Sequence, residues 1–304
     1  MSTILVTGGT GMVGKHLQKI LPNAHYVGSN DGDLNDETEL IYILAKYFHT
    51  PKEGDRIIHL AAKVGGLQDN MNNPASFYDQ NIMMNTMLVQ QAHRSGVKRL
   101  TAILSTCIYP DVVDEYPMVE SDMHLGPPPQ GNFSYAYAKR AMAVQIDAYN
   151  KQHGTKYNYL IPCNLYSEYD NFDNNVKMHF ITALIKKIID SDGTISLLGT
   201  GEPLRQFMYA GDLAKIIKDV VDKDITDNFN IAPDWNYSIK EMAEIALNCL
   251  GKEDIKINWE RPEMDGQYRK DVDSSKLKNV LKNISFTELK DGIKKVYEGI
   301  NNRN

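Results

Sequence analysis

The sequence predicts an α/β fold in which a doubly wound parallel sheet carries a smaller α/β lobe. Three observations lead to this prediction. Short apolar runs alternate with helical stretches through the first half of the 304 residues, and a glycine-rich turn follows the first run directly. After residue 164 the alternation loosens into shorter elements. Because no repeat or low-complexity linker separates the two parts, we expect the lobe to pack tightly against the sheet.

Alternating strands and helices define the predicted sheet. The first strand is predicted at residues 3–7 and the first helix at 12–21. The later strands of the sheet are predicted at 24–27, 56–61, 99–105 and 157–161, and its long helices at 74–94 and 135–153. A chain that alternates in this way forms a parallel sheet with helices on both faces.

The smaller lobe is predicted from the elements that follow. They begin with a helix at 177–190, a strand at 195–198 and a turn at 199–203. Two capping boxes, in which a serine precedes a glutamate by three residues, then predict helix starts. Ser238 and Glu241 open a helix that ends at Gly251, and Ser285 and Glu288 open the last helix.

The composition indicates an ordinary globular protein. Hydrophobic residues make up 42% and charged residues 24% of the chain, and the formal net charge is -6 without a basic block, so we expect no nucleic-acid partner. Apolar runs are too short to span a membrane, and the chain opens on a strand with no signal peptide. The spacing of Cys107, Cys163 and Cys249 suits neither a disulfide framework nor a metal site. We therefore expect a cytoplasmic enzyme with a small-molecule substrate.

A glycine motif predicts a nucleotide site. The spacing Gly8-x-x-Gly11-x-x-Gly14 lies between the first strand and the first helix. Glycines at this spacing let the backbone approach a pyrophosphate and direct amide N–H groups toward it. A tight turn without a ligand is the alternative. In an alternating chain, the motif favours a Rossmann-type dinucleotide site to which Gly8, Thr10, Gly11, Met12, Val13 and Gly14 contribute.

The residues after the second strand bear on the choice of dinucleotide. An acidic residue there binds the ribose 2′-hydroxyl of NAD, whereas small residues leave room for the 2′-phosphate of NADP. Gly28 and Ser29 leave such room, although no arginine or lysine stands beside them. We therefore predict NADP(H), with Ser29 and Asn30 at its ribose, and leave NAD(H) open because Asp31 could be the ribose acid. Asp33 and Leu34 are interpreted as adenine contacts, with a solvated turn as the alternative for Asp33.

Tyr135 and Lys139 are predicted to be catalytic. Four residues apart on a helix, they project from one face, and an ammonium beside a phenol lowers the phenol's pKa. Ser105 follows the fourth strand, where ligands collect in open α/β sheets. This set predicts hydride transfer to a carbonyl, with Tyr135 as the proton donor, Lys139 on the nicotinamide ribose and Ser105 on the developing oxyanion. Tyr137 is a rival to Tyr135, but it lies on another side of the helix.

Together with the glycine turn, Ser105 and the Tyr135-x-x-x-Lys139 pair, longer runs resemble the GDP-L-fucose synthase family of the extended short-chain dehydrogenase/reductases. The resemblance covers nearly the whole chain and is carried by Ala61-Ala62-Lys63-Val64-Gly65-Gly66, Ser105-Thr106-Cys107-Ile108-Tyr109-Pro110, Gly126-Pro127-Pro128, Asp170-Asn171-Phe172, His179, Arg205-Gln206-Phe207 and Asp265-Gly266-Gln267.

The resemblance implies an activity and a division of the chain. The implied activity is NADPH-dependent reduction at C4 of a GDP-linked 4-keto-6-deoxy sugar, with epimerisation at C3 and C5. Residues 1–165 with about 206–232 would form the NADP-binding domain, and about 166–205 with 233–304 the GDP-sugar-binding lobe. By analogy with the superfamily, the helices at 74–94 and 135–153 would pair across a homodimer.

The resemblance also implies roles for residues that the motifs alone do not single out. Cys107 and His179 correspond to the family's acid/base pair for epimerisation. Further cofactor contacts are implied for Ala61, Ala62, Lys63, Pro162, Asn164, Leu165 and His179. Substrate contacts are implied for Val64, Ser105, Thr106, Cys107, Lys187, Leu198, Arg205, Asp265 and Lys270.

Two departures from the family pattern leave the sugar open. Leu198 stands where the family has a tryptophan, and residues 166–169 replace a Gly-Pro-His run. Both changes are expected near the sugar pocket. The first alternative is therefore a C4 reductase of a GDP-4-keto-6-deoxy-heptose with little or no epimerase activity. A dinucleotide-sensing regulatory protein is a remote alternative, because such proteins usually lack the Tyr135–Lys139 pair.

Overall fold

The computed structural model describes residues 2–172 and 178–302 of the chain. Its strands are β1 (Ile4–Thr7), β2 (His25–Val27), β3 (Arg56–His59), β4 (Arg99–Ile103), β5 (Lys156–Pro162), β6 (Asn164–Tyr166), β7 (Thr194–Leu198), β8 (Leu204–Arg205), β9 (Phe207–Tyr209), β10 (Phe229–Ile231), β11 (Tyr237–Ser238) and β12 (Lys256–Glu260). Its α-helices are α1 (Met12–Ile20), α2 (Glu37–Tyr47), α3 (Leu67–Asn72), α4 (Pro74–Arg94), α5 (Phe133–His153), α6 (Phe180–Asp190), α7 (Ala210–Asp222), α8 (Ile239–Leu250), α9 (Ser275–Val280) and α10 (Leu289–Asn301).

Six strands form one parallel sheet in the order β10-β5-β4-β3-β1-β2. The two neighbours of β1 are β2 and β3, so the chain changes direction across the sheet at this point. Ligands of open α/β sheets bind in the crevice at the carboxyl ends of strands beside such a switch. The predicted fold class, a Rossmann-type doubly wound sheet, is confirmed.

Burial explains why the strands of the sheet are apolar throughout. β3 and β4 are buried along their whole length, because helices cover a parallel sheet on both faces. α4 packs along α5, and α1 packs along α7. Their apolar sides join Leu5, Val6, Ile57, Ile58 and Leu100 in the larger core.

A second core lies in the carboxyl-terminal part of the chain. It contains apolar residues of α6, α8 and α10, including Leu184, Met242 and Val296. Three small two-stranded sheets accompany it: β7 with β12, β6 with β9, and β8 with β11. Val272 and Leu277, which lie between β12 and α10 in the sequence, pack into the larger core instead.

The helix ends test the two predicted capping boxes. The Ser238 side chain accepts from the Glu241 amide and the Glu241 carboxylate accepts from the Ser238 amide, so this prediction is confirmed. The prediction that Ser285 opens the last helix is wrong. α10 begins at Leu289, because the Thr287 amide donates to Asp212 at 2.6 Å and holds the chain extended up to the N-cap residue Glu288.

Two other predicted element boundaries lie at residues 177 and 105. The predicted start of the helix at Lys177 lies outside the described residues, within which α6 begins at Phe180. The fourth strand ends at Ile103 instead of residue 105, because the backbone turns there into a 3-10 segment, Thr106–Ile108. Among the helices that the structure describes, none is long and apolar enough to cross a membrane.

Candidate active site

The glycine turn between β1 and α1 lies directly against the end of β3. Gly8 has a φ of +67°, and a Cβ on it would lie 2.6 Å from the Ala61 backbone nitrogen. A Cβ on Gly14 would collide with the Gly9 carbonyl. The sequence therefore needs glycine at these positions because there is no space for any side chain.

The N-terminus of α1 offers free amides next to this turn. Gly11 is its N-cap residue and supplies no side chain to bind the first N–H groups. Thr10 is exposed, and Met12 and Val13 are half-buried. Unpaired amides on a helix N-terminus, above a turn without side chains, fit the pyrophosphate of a dinucleotide.

The carboxylates that follow β2 accept hydrogen bonds from backbone amides in their own turns. Asp31 Oδ2 accepts from the Gly28 amide at 2.8 Å, and Asp33 Oδ1 accepts from the Asn35 amide at 2.9 Å. Asp33 is an exposed turn residue, the alternative left open by the sequence, whereas Leu34 is buried in the core. The Leu34 side chain thus packs in the core, and its contact with the adenine stays a prediction.

Asn81 fixes the loop after β3, which is a feature that the motifs missed. Its Oδ1 accepts from the Lys63 amide at 3.0 Å and its Nδ2 donates to the Lys63 carbonyl at 3.0 Å. Next to this anchored residue, Val64 is exposed. A buried asparagine on the apolar side of α4, four residues after Phe77, was the available signal.

The predicted pair on α5 is present, but its electrostatics differ from the prediction. Lys139 is 2% exposed, its Nζ donates to the Ile103 carbonyl at 2.9 Å, and it lies 5.9 Å from the centre of the Tyr135 ring. Burial lowers the pKa of Lys139 to about 8. Burial, followed by the charge of Cys107, raises the pKa of Tyr135 well above its ordinary value. The rise is opposite to the expected lowering, because desolvation of the phenol is its largest cause.

Ser105 and Cys107 share a tight turn at the end of β4. Ser105 Oγ accepts from the Cys107 amide at 3.3 Å, which leaves the serine O–H able to donate elsewhere. Arg140 holds the turn from α5 through a bond from Nε to the Ile108 carbonyl at 2.9 Å. Thr106 is only 2% exposed, so the structure buries this predicted substrate contact beneath the turn.

Lys270 reaches the turn from the far end of the chain. Its Nζ donates to Cys107 Sγ at 2.9 Å. Burial by itself would raise the pKa of the Cys107 thiol. The charge and hydrogen bond of Lys270, a bond with Ser105 and the charge of Arg205 outweigh burial and hold the pKa below its ordinary value.

His179 is held by a buried carboxylate at the start of α6. Asp170 Oδ2 accepts from the His179 amide at 3.0 Å, and its Oδ1 lies 3.0 Å from the ring Nδ1. Burial alone would raise the pKa of Asp170, but the hydrogen bonds and the charge of His179 hold it below its ordinary value. In the sequence, Asp170 stands out only as part of a run that resembles the family, and no role is predicted for it.

Arg205 and Asp265 are neighbours, but the carboxylate of Asp265 faces a loop. Its Oδ1 and Oδ2 accept from the amide and the hydroxyl of Thr200, both at 2.7 Å. Arg205 donates to the backbone carbonyls of Leu204 at 2.8 Å and Asp265 at 3.3 Å. The Asp265 carboxylate therefore shapes the loop, and the substrate contact implied for this residue stays a prediction.

Two other implied substrate contacts lie on the small lobe, on α6 and β7. Lys187 Nζ donates to the Ser196 carbonyl at 2.6 Å. Leu198 is 49% exposed, at the end of β7. In the arrangement that the structure describes, the Lys187 ammonium is bound to this strand.

The end of β5 continues the edge of the sheet. Pro162 ends this strand, and Asn164 Nδ2 donates to the Gln206 carbonyl at 3.0 Å. Cys163, between Pro162 and Asn164, is buried, so desolvation raises the pKa of its thiol. Leu165 is half-buried. Cys163 is a packing residue, in contrast to the paired Cys107.

The loop that departs from the family pattern, residues 166–169, packs on the dinucleotide helix. Ser167 Oγ lies 2.8 Å from His16 Nε2 on α1, and the Tyr209 hydroxyl donates to Glu168 at 2.8 Å. The Tyr169 ring lies across His16 at 4.8 Å between centres. The side chains of this loop thus join α1 to the smaller lobe, and its place near the sugar pocket stays a prediction.

These residues form two chemical groups at the carboxyl edge of the sheet. Ser105, Cys107, Tyr135, Lys139 and Lys270 are linked by contacts and charge, whereas Asp170 holds His179 separately. The first group combines a protonated phenol with a hydroxyl donor and a reactive thiol. Such a group can protonate an alkoxide or stabilise an enolate.

Comparisons with known proteins agree with this chemistry. The model of the NAD dependent epimerase/dehydratase family matches residues 4–232. The chain is 33% identical over 317 residues to the probable GDP-L-fucose synthase of Drosophila melanogaster, covering 96% of this chain and 95% of that protein.

Solved structures of named enzymes also match the chain. A GDP-L-fucose synthetase from Naegleria fowleri bound to NADP matches with a TM-score of 0.86 and 30% identity, covering 99% of this chain and 93% of that one. A GDP-6-OMe-4-keto-L-xylo-heptose reductase from C. jejuni matches with a TM-score of 0.89 and 25% identity, covering 100% and 98%. The protein is an NAD(P)-dependent oxidoreductase, and its chain belongs to the NAD dependent epimerase/dehydratase family.

Proposed function

We propose that the protein reduces the C4 ketone of a GDP-4-keto-6-deoxy sugar with NADPH and also epimerises C3 and C5. The observation that carries the proposal is the group around Tyr135, in which a protonated phenol lies with Lys139 and Cys107. Lys139 binds the end of β4, in the same parallel sheet as the glycine turn that follows β1. The names of the fucose synthase and heptose reductase relatives support a GDP-sugar substrate and reduction at C4.

The reduction uses three side chains of the first group. NADPH supplies the hydride when it is bound. Tyr135 gives its phenol proton to the C4 oxygen, and its raised pKa ensures that this proton is present at neutral pH. When the substrate is bound, Ser105 turns its O–H from the Cys107 sulfur to the same oxygen, and Lys139 binds the nicotinamide ribose with its ammonium.

The epimerisation uses Cys107 and His179. A base removes the proton from a carbon beside the ketone, and the electron pair moves onto the C4 oxygen, which Ser105 and Tyr135 stabilise. An acid then returns a proton to the opposite side of that carbon. A thiol and an imidazole both exchange protons near neutral pH, so this pair suits the step.

The substrate is held by cations of the smaller lobe. Arg205 and Lys270 lie close to Cys107, and a guanidinium can bind a diphosphate through two parallel hydrogen bonds. In this proposal residues 1–165 and about 206–232 bind the dinucleotide, and about 166–205 and 233–304 bind the GDP-sugar. Lys187 would contact the sugar nucleotide after releasing the Ser196 carbonyl.

A C4 reductase of a heptose, without epimerisation, is the second candidate. The match to a heptose reductase over the whole chain and the exposed Leu198 on the small lobe favour it. The identity of the sugar that the protein reduces, hexose or heptose, therefore distinguishes the two candidate functions.

The test is to incubate the purified protein with NADPH and either the GDP-4-keto-6-deoxy hexose or the corresponding heptose in heavy water. Consumption of NADPH and a 4-hydroxy product support the reductase. Deuterium at C3 or C5 of the product supports epimerisation, and its absence supports the second candidate. Failure to oxidise NADPH with any such sugar would reject both.

We also propose that the protein forms a homodimer through α4 and α5. Both helices carry large exposed apolar side chains, among them Tyr78, Met83 and Val144. A groove on this surface is lined by Tyr78, Phe133, Tyr137 and Val144. Light scattering after gel filtration should give twice the chain mass for the wild type and the chain mass for Val144→Asp. A monomeric wild type contradicts the dimer.

A further inference from the structure

The bond between Lys270 and Cys107 joins residues that are 163 positions apart in the sequence. Lys270 is 9% exposed and Cys107 is half-buried. An ammonium has donors but no acceptor, so the sulfur must be the acceptor of this 2.9 Å bond. A buried ammonium is stable only beside a partner that carries or accepts charge.

The neighbours of Lys270 hold its ammonium in this place. The Asp271 carbonyl accepts from the Met118 amide at 2.9 Å, and the Val272 amide donates to Gln206 Oε1 at 2.9 Å. Arg269 clamps the Asp271 carboxylate through bonds of 2.6 and 2.9 Å. On the other side of Lys270, the Leu204 amide donates to the Tyr268 carbonyl at 2.8 Å. The segment is therefore fixed on both sides of Lys270, and the ammonium is positioned before a ligand arrives.

Other polar groups around the sulfur favour its anion. Arg205 adds a second positive charge, and Ser105 adds a hydrogen bond. Cys107 in turn acts on Tyr135. Negative charge on the sulfur raises the pKa of the phenol, because it makes loss of the phenol proton harder.

We propose that Lys270 is a positioning residue that keeps Cys107 as a thiolate before the substrate binds. The inference deepens the proposed epimerisation and rests on it for its catalytic meaning. A thiolate accepts the proton from carbon without first losing its own, so it becomes a thiol while the electron pair moves onto the substrate oxygen. The same negative charge helps Tyr135 to keep the proton that the later reduction requires.

The test is the pH dependence of alkylation of the free enzyme by iodoacetamide, followed at each cysteine by peptide mass mapping. The thiolate is the form that reacts, so the midpoint of the rate profile reports the pKa. For wild-type Cys107 we expect a midpoint below the ordinary cysteine value of about 8.5. In Lys270→Met the midpoint should rise, and the rate at pH 7 should fall roughly three- to tenfold for each unit of that rise. Lys270→Arg should restore the low midpoint.

The chain offers internal and matched controls. Cys163 and Cys249 are read in the same digest and should keep their profiles in every variant. Lys276→Met removes a lysine whose Nζ binds the Asn228 carbonyl at 2.9 Å, and it should leave the Cys107 profile unchanged. Circular dichroism checks that the variants fold.

Two results would overturn the proposal: a wild-type midpoint at or above the ordinary value, or an unchanged midpoint in folded Lys270→Met. If that variant does not fold, the wild-type profile decides alone. The assay needs no sugar. A low, Lys270-dependent midpoint in a protein that incorporates no deuterium would therefore support the pairing while rejecting the proposed epimerisation.

Discussion

Asp170 binds His179 twice, once at the backbone amide and once at ring Nδ1, with both separations at 3.0 Å. An ionised carboxylate only accepts hydrogen bonds, so Nδ1 carries the hydrogen and Nε2 is left to exchange protons. The carboxylate is buried, and the same two bonds keep its pKa low. A single aspartate thus sets both the position and the tautomer of the proposed acid/base.

Replacing Asp170 with asparagine should therefore misdirect the imidazole. In Asp170→Asn we expect deuterium incorporation at C3 and C5 to fall at least about tenfold, since a histidine in the wrong tautomer is a poor proton carrier. Nitrogen NMR of the neutral ring should show less hydrogen on Nδ1. Asp190→Asn, at the exposed end of α6, should behave as the wild type. An unaltered tautomer in Asp170→Asn would contradict the orienting role.

Tyr135→Phe should stop C4 reduction while leaving dinucleotide binding intact. Loss of a general acid costs roughly 10²- to 10⁴-fold in turnover. NADPH oxidation measures the turnover, and quenching of intrinsic fluorescence measures NADPH binding. Tyr137→Phe is the matched control, because that ring packs 5.2 Å from the Arg140 guanidinium on another side of α5. Unchanged turnover in Tyr135→Phe would remove Tyr135 from the mechanism.

Burial of Lys139 should make the protein's stability depend on alkaline pH. The pKa of Lys139 is lowered from 10.5 to about 8. Between these values the unfolded chain binds a proton that the folded chain has released, so raising the pH stabilises the folded state. The free energy of unfolding in urea should therefore rise from pH 8 to 10.5 in the wild type relative to Lys139→Met. Parallel pH curves for the two proteins would show that Lys139 does not contribute.

Substitutions at two glycines should distinguish the cost of a left-handed backbone from the cost of steric overlap with a Cβ. Gly8 and Gly251 both have φ values near +60°, at +67° and +62°, but only Gly8 has backbone atoms beside the position of a Cβ. Gly251→Ala should cost about 1–2 kcal/mol in urea denaturation, the cost of a left-handed residue. Gly8→Ala should cost more and should also abolish NADPH binding. Equal losses of stability with NADPH binding retained would contradict the close approach to Ala61.

The sequence predicted best those features that are decided locally. The buried strands β3 and β4 are continuous apolar runs, and the box at Ser238 contains both of its partners within four residues. The false start at Ser285 shows the limit of this approach. There a side chain distant in sequence, Asp212, binds the backbone and moves the helix start to Leu289.

Parts of the candidate site were beyond local patterns because they depend on distant partners. The family resemblance implied roles for Cys107 and Lys270 separately, but no spacing rule pairs residues 163 positions apart. The high pKa of Tyr135 depends on how far the surrounding structure excludes water, which the four-residue spacing to Lys139 does not reveal. The hydrogen bonds from Thr200 to the Asp265 carboxylate could not be predicted either, because the two residues are far apart in the sequence.

The backbone bonds that fix the Lys270 segment to Met118 and Gln206 also have a consequence for protein engineering. A chimera that exchanged residues 233–304 for those of a relative would change part of the proposed substrate-binding lobe and, with it, the cation beside the Cys107 sulfur. Sugar preference and proton-transfer chemistry would then change together. Engineers who seek a new sugar specificity should therefore keep the segment from Arg269 to Val272 native and vary only the surface around it.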